Sequence, residues 1–137
     1  MSAYTNQNLL AGYISSQNLI ALTDDTASGQ VNVAVLNQSI ASASATVDGL
    51  LCATYQTPFT NPPAQVIEAA TIFTCEALFG RRLVPGENNP FKSQAASWRE
   101  TLKGIAQNGG GLDAATPRAY TPGYVEQIWS RLNSDTL

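Results

Sequence analysis

Apolar positions recur at helical intervals along most of the chain. Leu36, Ile40, Ala43, Val47 and Leu50 are spaced by four, three, four and three residues, the stripe of one buried helix face. The pattern predicts a helix from about residue 30 to Tyr55, roughly 37 Å long. Its centre, Ile40-Ala41-Ser42-Ala43-Ser44-Ala45-Thr46, is built of small residues that permit close helix approach. Gly49 allows a close contact or a slight bend. Pro58, Pro62 and Pro63 separate this helix from the next, with Asn61 as the expected cap and Pro62 or Pro63 in the first turn. There, Val66, Ala70, Phe73 and Ala77 form one ridge and Ile67, Thr74 and Leu78 its neighbour. Gly80 ends that helix, and Arg81 and Arg82 sit favourably at its negative end.

After the loop Pro85-Gly86-Glu87-Asn88, Asn89 and Pro90 read as a cap and a first-turn proline. Phe91, Ala95, Trp98, Leu102 and Ile105 then repeat the same stripe up to the stop at Gly109-Gly110-Gly111. Two shorter helical segments come first. Thr5 is a plausible cap ahead of Leu9, Leu10, Tyr13 and Ile14, with Gly12 limiting the helix. Leu19, Ile20 and Leu22 follow, closed by Thr23-Asp24-Asp25, and residues 26–30 read as loop. Val31-Asn32-Val33-Ala34-Val35 is the only stretch with strand-like alternation, and it is short. Residues 1–111 are therefore expected to form an all-α body, a small bundle of two to three long helices with short N-terminal helices.

Residues 112–137 differ. Ala114-Ala115-Thr116-Pro117 and Thr121-Pro122-Gly123 are extended or turn sequences. Tyr120, Tyr124, Val125, Ile128, Trp129 and Leu132 lie between and after them, and the last four can share one face of a short helix. Such side chains need a surface to cover. Either they fold back on the body, or they form an arm that anchors into a partner, where Tyr and Trp are favoured.

Composition sharpens this picture. Among 137 residues, only 12% are charged, against about 25% in an average soluble protein. Ser, Thr, Asn and Gln together supply 43 residues. A polar but sparsely charged exterior is poorly suited to colloidal life alone and suits a subunit covered by neighbours. Residues 1–80 hold five acids and no Lys or Arg; residues 81–137 hold all seven basic residues and five acids. Tight duplex binding needs clustered cations, which the first eighty residues lack. One reading of this asymmetry is a subunit with an acidic end and a basic end that stacks between two partners; the other is chance in a weakly charged chain.

Candidate chemistry is sparse. The chain has no histidine, which excludes a histidine triad, base or metal ligand. Cys52 and Cys75 lack metal-site spacing; a disulfide between them is possible but disfavoured in a reducing cytoplasm, and Cys75 reads as inert packing. Asp24 and Asp25 are adjacent and suit a turn or cap rather than paired acid–base work. Glu68 and Glu76, two helical turns apart, are expected to face solvent, and so are Arg99 and Lys103 beside Glu100. Gly109-Gly110-Gly111 lacks the Lys-Ser or Lys-Thr and the preceding strand of a phosphate loop. No apolar run approaches the roughly 20 residues of a membrane span, and the N-terminus lacks a signal-peptide pattern. A non-enzymatic protein without cofactor or metal is expected.

Several of these residues also carry a family resemblance. Tyr4-Thr5, Leu22-Thr23-Asp24, Val47-Asp48, Leu51, Tyr55, Pro58-Phe59 and the run Trp98, Ile105, Gly109 stand in the order of the small Mu-type phage virion proteins regarded as head–tail connectors. The chain resembles that family over about residues 4–112. It departs from it at Thr54, where the family usually has an arginine before the tyrosine.

The resemblance implies a helical adaptor, similar to the rings below phage portals, located in the virion neck after synthesis in the bacterial cytoplasm. The implied partners are sister copies in a closed ring (a dodecamer by the resemblance), the portal protein, and a downstream tail or stopper protein. DNA would pass through the lumen without specific binding. The C-terminal arm would dock on the portal, with Tyr120, Tyr124, Val125, Ile128, Trp129 and Leu132 as anchors. Asp48, Tyr55 and Pro58 would fix the helix end rather than touch a ligand. Another neck or tail-completion protein, or a cytoplasmic helical regulator that binds a protein partner, would share much of this pattern.

Overall fold

Short polar side chains set most of the helix starts, because they accept hydrogen bonds from the first free N–H groups. In the computed structural model, which describes residues 3–82 and 88–108, five helices are formed among the described residues and no strand. Helix α1 (Gln7–Leu10) is capped by Asn6, whose side chain accepts from Leu9 N at 3.0 Å. Thr5, the expected cap, is instead buried, and its hydroxyl shares a 2.7 Å hydrogen bond with that of Thr71. Helix α2 (Ser16–Thr23) is capped by Ser15. Helix α3 (Val33–Leu51) starts at Asn32, which accepts from Ala34 N and Val35 N.

The expected span of residues 30 to 55 is thus trimmed at both ends, by the Asn32 cap and by the turn after Leu51. Val31 to Val35, the strand-like stretch, leads into this helix. Helix α4 (Ala64–Gly80) starts after Pro63, with no side-chain cap, so Asn61 does not play that part. Carbonyl Pro63 O accepts from both Val66 N and Ile67 N. Helix α5 (Lys92–Asn108) ends directly before the glycine triplet. At its start, Asn89 accepts from Phe91 N at 3.0 Å and donates to Glu76 O at 2.8 Å, joining α5 to α4.

Helix α4 is the centre of the body. Ala69 through Cys75 are buried without interruption, so this helix has no solvent face in its middle. It is flanked by α3, by α5 and by the α1–α2 segment. This corrects the two expected ridges: Ala77 is exposed and Ile67 only half-buried, while Ala69, Thr71, Ile72 and Cys75, outside both ridges, are inside. Polar Thr71 and Thr74 tolerate burial because their hydroxyls donate to Ile67 O and Ala70 O, one turn back, at 2.7 Å each. In α3, Leu36, Ile40, Ala43 and Val47 are buried as the stripe predicts. At its end Leu51 is fully buried and Leu50 only half-buried, because a 3.6-residue period drifts off a strict 4-3 pattern.

Gly49 serves no close approach: a Cβ added there meets nothing within 4 Å, and the same holds for Gly104 in α5. Both lie inside helices. Gly49→Ala and Gly104→Ala are therefore expected to stabilise the protein by about 0.5–1 kcal/mol each, read as a raised midpoint in thermal or urea unfolding. A loss of stability at either position would mean that the backbone there is not free helix.

Candidate functional site

Tyr4, Asp48, Tyr55 and Phe59, four of the residues that carry the family resemblance, meet at one largely buried point. Tyr4 is 3% exposed, and its phenol donates to Asp48 Oδ1 at 2.5 Å and accepts from Phe59 N at 2.8 Å. Its own N–H donates to Ser44 Oγ at 3.1 Å. The Tyr4 and Phe59 rings meet edge to face at 5.9 Å, and Tyr55 lies 6.3 Å from Phe59. Burial first, and then the bond to Asp48, pushes the Tyr4 phenol above its ordinary pKa, so it stays protonated and donating. Asp48 occupies the last turn of α3, Tyr55 is buried just beyond it, and Pro58 is exposed and follows a cis peptide bond. The structure thus brings Asp48, Tyr55 and the Pro58 segment together around the N-terminal tyrosine, fastening residue 4 to the α3–α4 connection. That pairing of Tyr4 with Asp48, 44 residues apart, has no sequence signal beyond co-occurrence in the family pattern.

Three further ties join elements distant in sequence, two of them ionic. Asp25 accepts from both Arg81 (2.8 Å) and Arg82 (2.6 Å), while the two guanidinium groups also donate to Leu22 O and Asp24 O. The cations beyond α4 thus hold the α2–α3 loop as well as lying near a helix end. Glu76 is half-buried and paired with Arg99, whose guanidinium also stands 5.2 Å from the Phe73 ring centre. The sequence spacing predicts a solvent face for both; the close packing of α5 on α4 brings them together instead. Thr54, where the resemblance implies an arginine, donates to Ala106 O at 2.5 Å and so satisfies a carbonyl in the last turn of α5.

Asp24 organises its loop as a turn. Its carboxylate accepts from Thr26 N, Ser28 N, Ser28 Oγ and Gly29 N, and the loop passes through left-handed backbone at Ala27 and Gly29. The backbone N–H groups of Ser28 and Gly29 lower its pKa to about 2. Because the folded value is depressed, the loop gains stability from Asp24 above the unfolded carboxyl value, about 3.9, and loses it as pH falls through about 2. A carboxyl titration of Asp24 by NMR is expected to show this midpoint, with Ser28 and Gly29 amide shifts following it. A midpoint near 4 would contradict the turn geometry.

Reactive groups are few. No disulfide joins Cys52, at the surface, to Cys75, inside α4, and burial pushes the Cys75 thiol up to about 12. Among the described residues, no group of three or more His, Cys, Asp or Glu could hold a metal ion, and no helix is long and apolar enough to cross a membrane.

Among the described residues, two surface hollows have no charged lining. One, of about 420 Å³, lies between the N-terminal segment (Ala3, Thr5, Asn6, Gln7) and the first turns of α3 (Val33, Leu36, Asn37, Ile40, Ala41). Val33, on its lining, is 59% exposed. The other, of about 280 Å³, lies on the outer side of α5 between Ser93, Gln94, Ser97, Trp98 and Thr101. Leu9 and Tyr13 are also exposed on and beside α1. The candidate anchors Tyr120, Tyr124, Val125, Ile128, Trp129 and Leu132, and the arm of residues 112–137 that carries them, lie outside the described residues.

Internal polar ties, a helix buried on every side along its middle and uncharged surface hollows define a small all-α protein whose recognisable motif is architectural. The family model described as "Bacteriophage Mu, Gp36" matches residues 4–126, and the chain belongs to that family; it is a phage protein. The match runs beyond the motif pattern, which stops near residue 112, and takes in Tyr120, Tyr124 and Val125 of the C-terminal segment. No curated protein matches the chain.

Proposed function

We propose that this phage protein is a non-enzymatic structural subunit of the virion neck, a head–tail connector that forms a ring beneath the portal and joins it to the tail. The observation that carries the reading is the charge-poor exterior of the body. Residues 1–47 contain only two charged side chains, Asp24 and Asp25, and Asp25 is neutralised by Arg81 and Arg82. In a closed ring each copy buries two different flanks against its neighbours, so desolvating uncharged flanks costs little. A lumen lined by such surfaces lets DNA slide without counterion-releasing contacts.

Residues 112–137 act as the arm. Tyr120, Tyr124, Val125, Ile128, Trp129 and Leu132 dock on the portal, and a stopper or tail protein meets the opposite side of the ring. In purified particles the chain is expected at a stoichiometric copy number in the neck, visible by imaging and by protein composition. Truncation after residue 112 is expected to leave a folded helical body that no longer attaches to portals. Absence from infectious particles would overturn the connector reading in favour of a cytoplasmic regulator. Unchanged portal affinity of the truncated chain would overturn the arm.

A further inference from the structure

We propose that Thr54 is a positioning residue for the C-terminal arm: its hydroxyl holds the last turn of α5 on the α3–α4 connection and so fixes the point at which the arm leaves the body. The inference rests on the arm reading above and names what secures the arm's root. The last four carbonyls of a helix have no partner within it, and helix ends fray. Ala106 lies in the last turn of α5, and its carbonyl accepts from Thr54 Oγ1 at 2.5 Å, across 52 residues of sequence. Apolar packing weakens towards the same end, since Leu102 is fully buried whereas Ile105 and Ala106 are half-buried. The hydrogen bond therefore acts where packing holds the helix least.

The donor is itself firmly placed. Thr54 N donates to Leu51 O at 3.1 Å and Tyr55 N to the same carbonyl at 2.9 Å, closing a turn directly after α3. Leu51 and Tyr55, on either side of Thr54, are buried. Tyr55 lies beside Phe59, whose N–H donates to the Tyr4 phenol. Thr54 thus couples the buried Tyr4 cluster to the root of the arm. On the other side, Gly109-Gly110-Gly111 follow α5 directly and bring no side chain that could pack against the body. If the last turn of α5 opens, its residues join that stretch, and docking has to order them again at an entropic cost. With the bond in place the arm starts from one fixed point, and this preorganisation favours binding.

The test uses the full chain and purified portal protein. Thr54→Val keeps the size of the side chain and removes the donor; Thr54→Ser keeps the hydroxyl. In the free subunit, Thr54→Val is expected to speed amide exchange at Ala106, Gln107 and Asn108 about three- to tenfold, the effect of one net hydrogen bond, with the α4 amides unchanged. Portal affinity is expected to fall by a similar factor, and Thr54→Ser to recover both. Unchanged exchange in Thr54→Val, or no recovery by Thr54→Ser, overturns the part given to the hydroxyl. Exchange that rises equally in α4 shows a general loss of stability and overturns the local role. Faster exchange in the last turn with wild-type portal affinity overturns the positioning role while the connector reading stands. A wild type that does not bind portals overturns the arm reading, and the positioning role with it.

Discussion

Tyr4→Phe is expected to destabilise the protein by about 2–4 kcal/mol, although it removes a single oxygen atom. That oxygen is both a donor to Asp48 and the acceptor for the Phe59 N–H, inside a site that Tyr4, Tyr55 and Phe59 close off from solvent. Without it, the buried N–H has no acceptor and the half-buried carboxylate loses its donor, and each unsatisfied group costs about 1–3 kcal/mol. Total stabilities of domains are typically about 5–15 kcal/mol, so the loss is a large share. Asp48→Asn keeps an acceptor at the same position and is expected to cost less than Tyr4→Phe. Urea unfolding of the three proteins measures the order. Hydrogen exchange adds a local readout, because the Tyr4 N–H bonded to Ser44 should lose protection in Tyr4→Phe first. A Tyr4→Phe protein within about 0.5 kcal/mol of wild type would show that the N-terminal segment is not fastened there.

Leu102→Ala is expected to cost about 2–5 kcal/mol, the range for deleting a fully buried leucine and leaving part of its volume empty. Leu102 has no exposed surface, and with Ala95, and Phe91 just before the helix, it carries α5 into the core. Trp98 and Ile105 are only half-buried, and Ala95 is too small to compensate. The thermal midpoint should fall by roughly 10 °C or more. Amide exchange should accelerate in α5 more than in α4, which is enclosed along Ala69 to Cys75. Because residues 112–137 continue from α5, the same variant should weaken portal attachment under the proposed function. A midpoint within 2 °C of wild type would mean that α5 does not complete the core.

The helices that the sequence makes legible are those with a sustained stripe. Leu36, Ile40, Ala43 and Val47, and likewise Phe91, Ala95 and Leu102, are spaced by the helical period and are buried as that spacing implies. Boundaries are less legible, since several polar residues compete for each cap. Thr5 and Asn6 are equally able to accept a hydrogen bond, and only the position of Thr71 in the folded core draws Thr5 inward and leaves Asn6 as the cap. The family motif is legible as a set of residues, Tyr4, Asp48, Tyr55 and Phe59, but not as a contact. Asp25 and Arg81, and Glu76 and Arg99, show no more of their pairing in the linear order than any acid and base.

What the amino-acid order determines by itself is the all-α class, the long helices and the charge-poor exterior, because periodicity and composition are local or additive properties. What only the tertiary structure decides is that α4 is enclosed along Ala69 to Cys75, that Tyr4 closes the end of α3, and that uncharged hollows open on different parts of the described surface. Each of these depends on distances between residues tens of positions apart. Such distances follow from how whole helices pack, which no local pattern encodes.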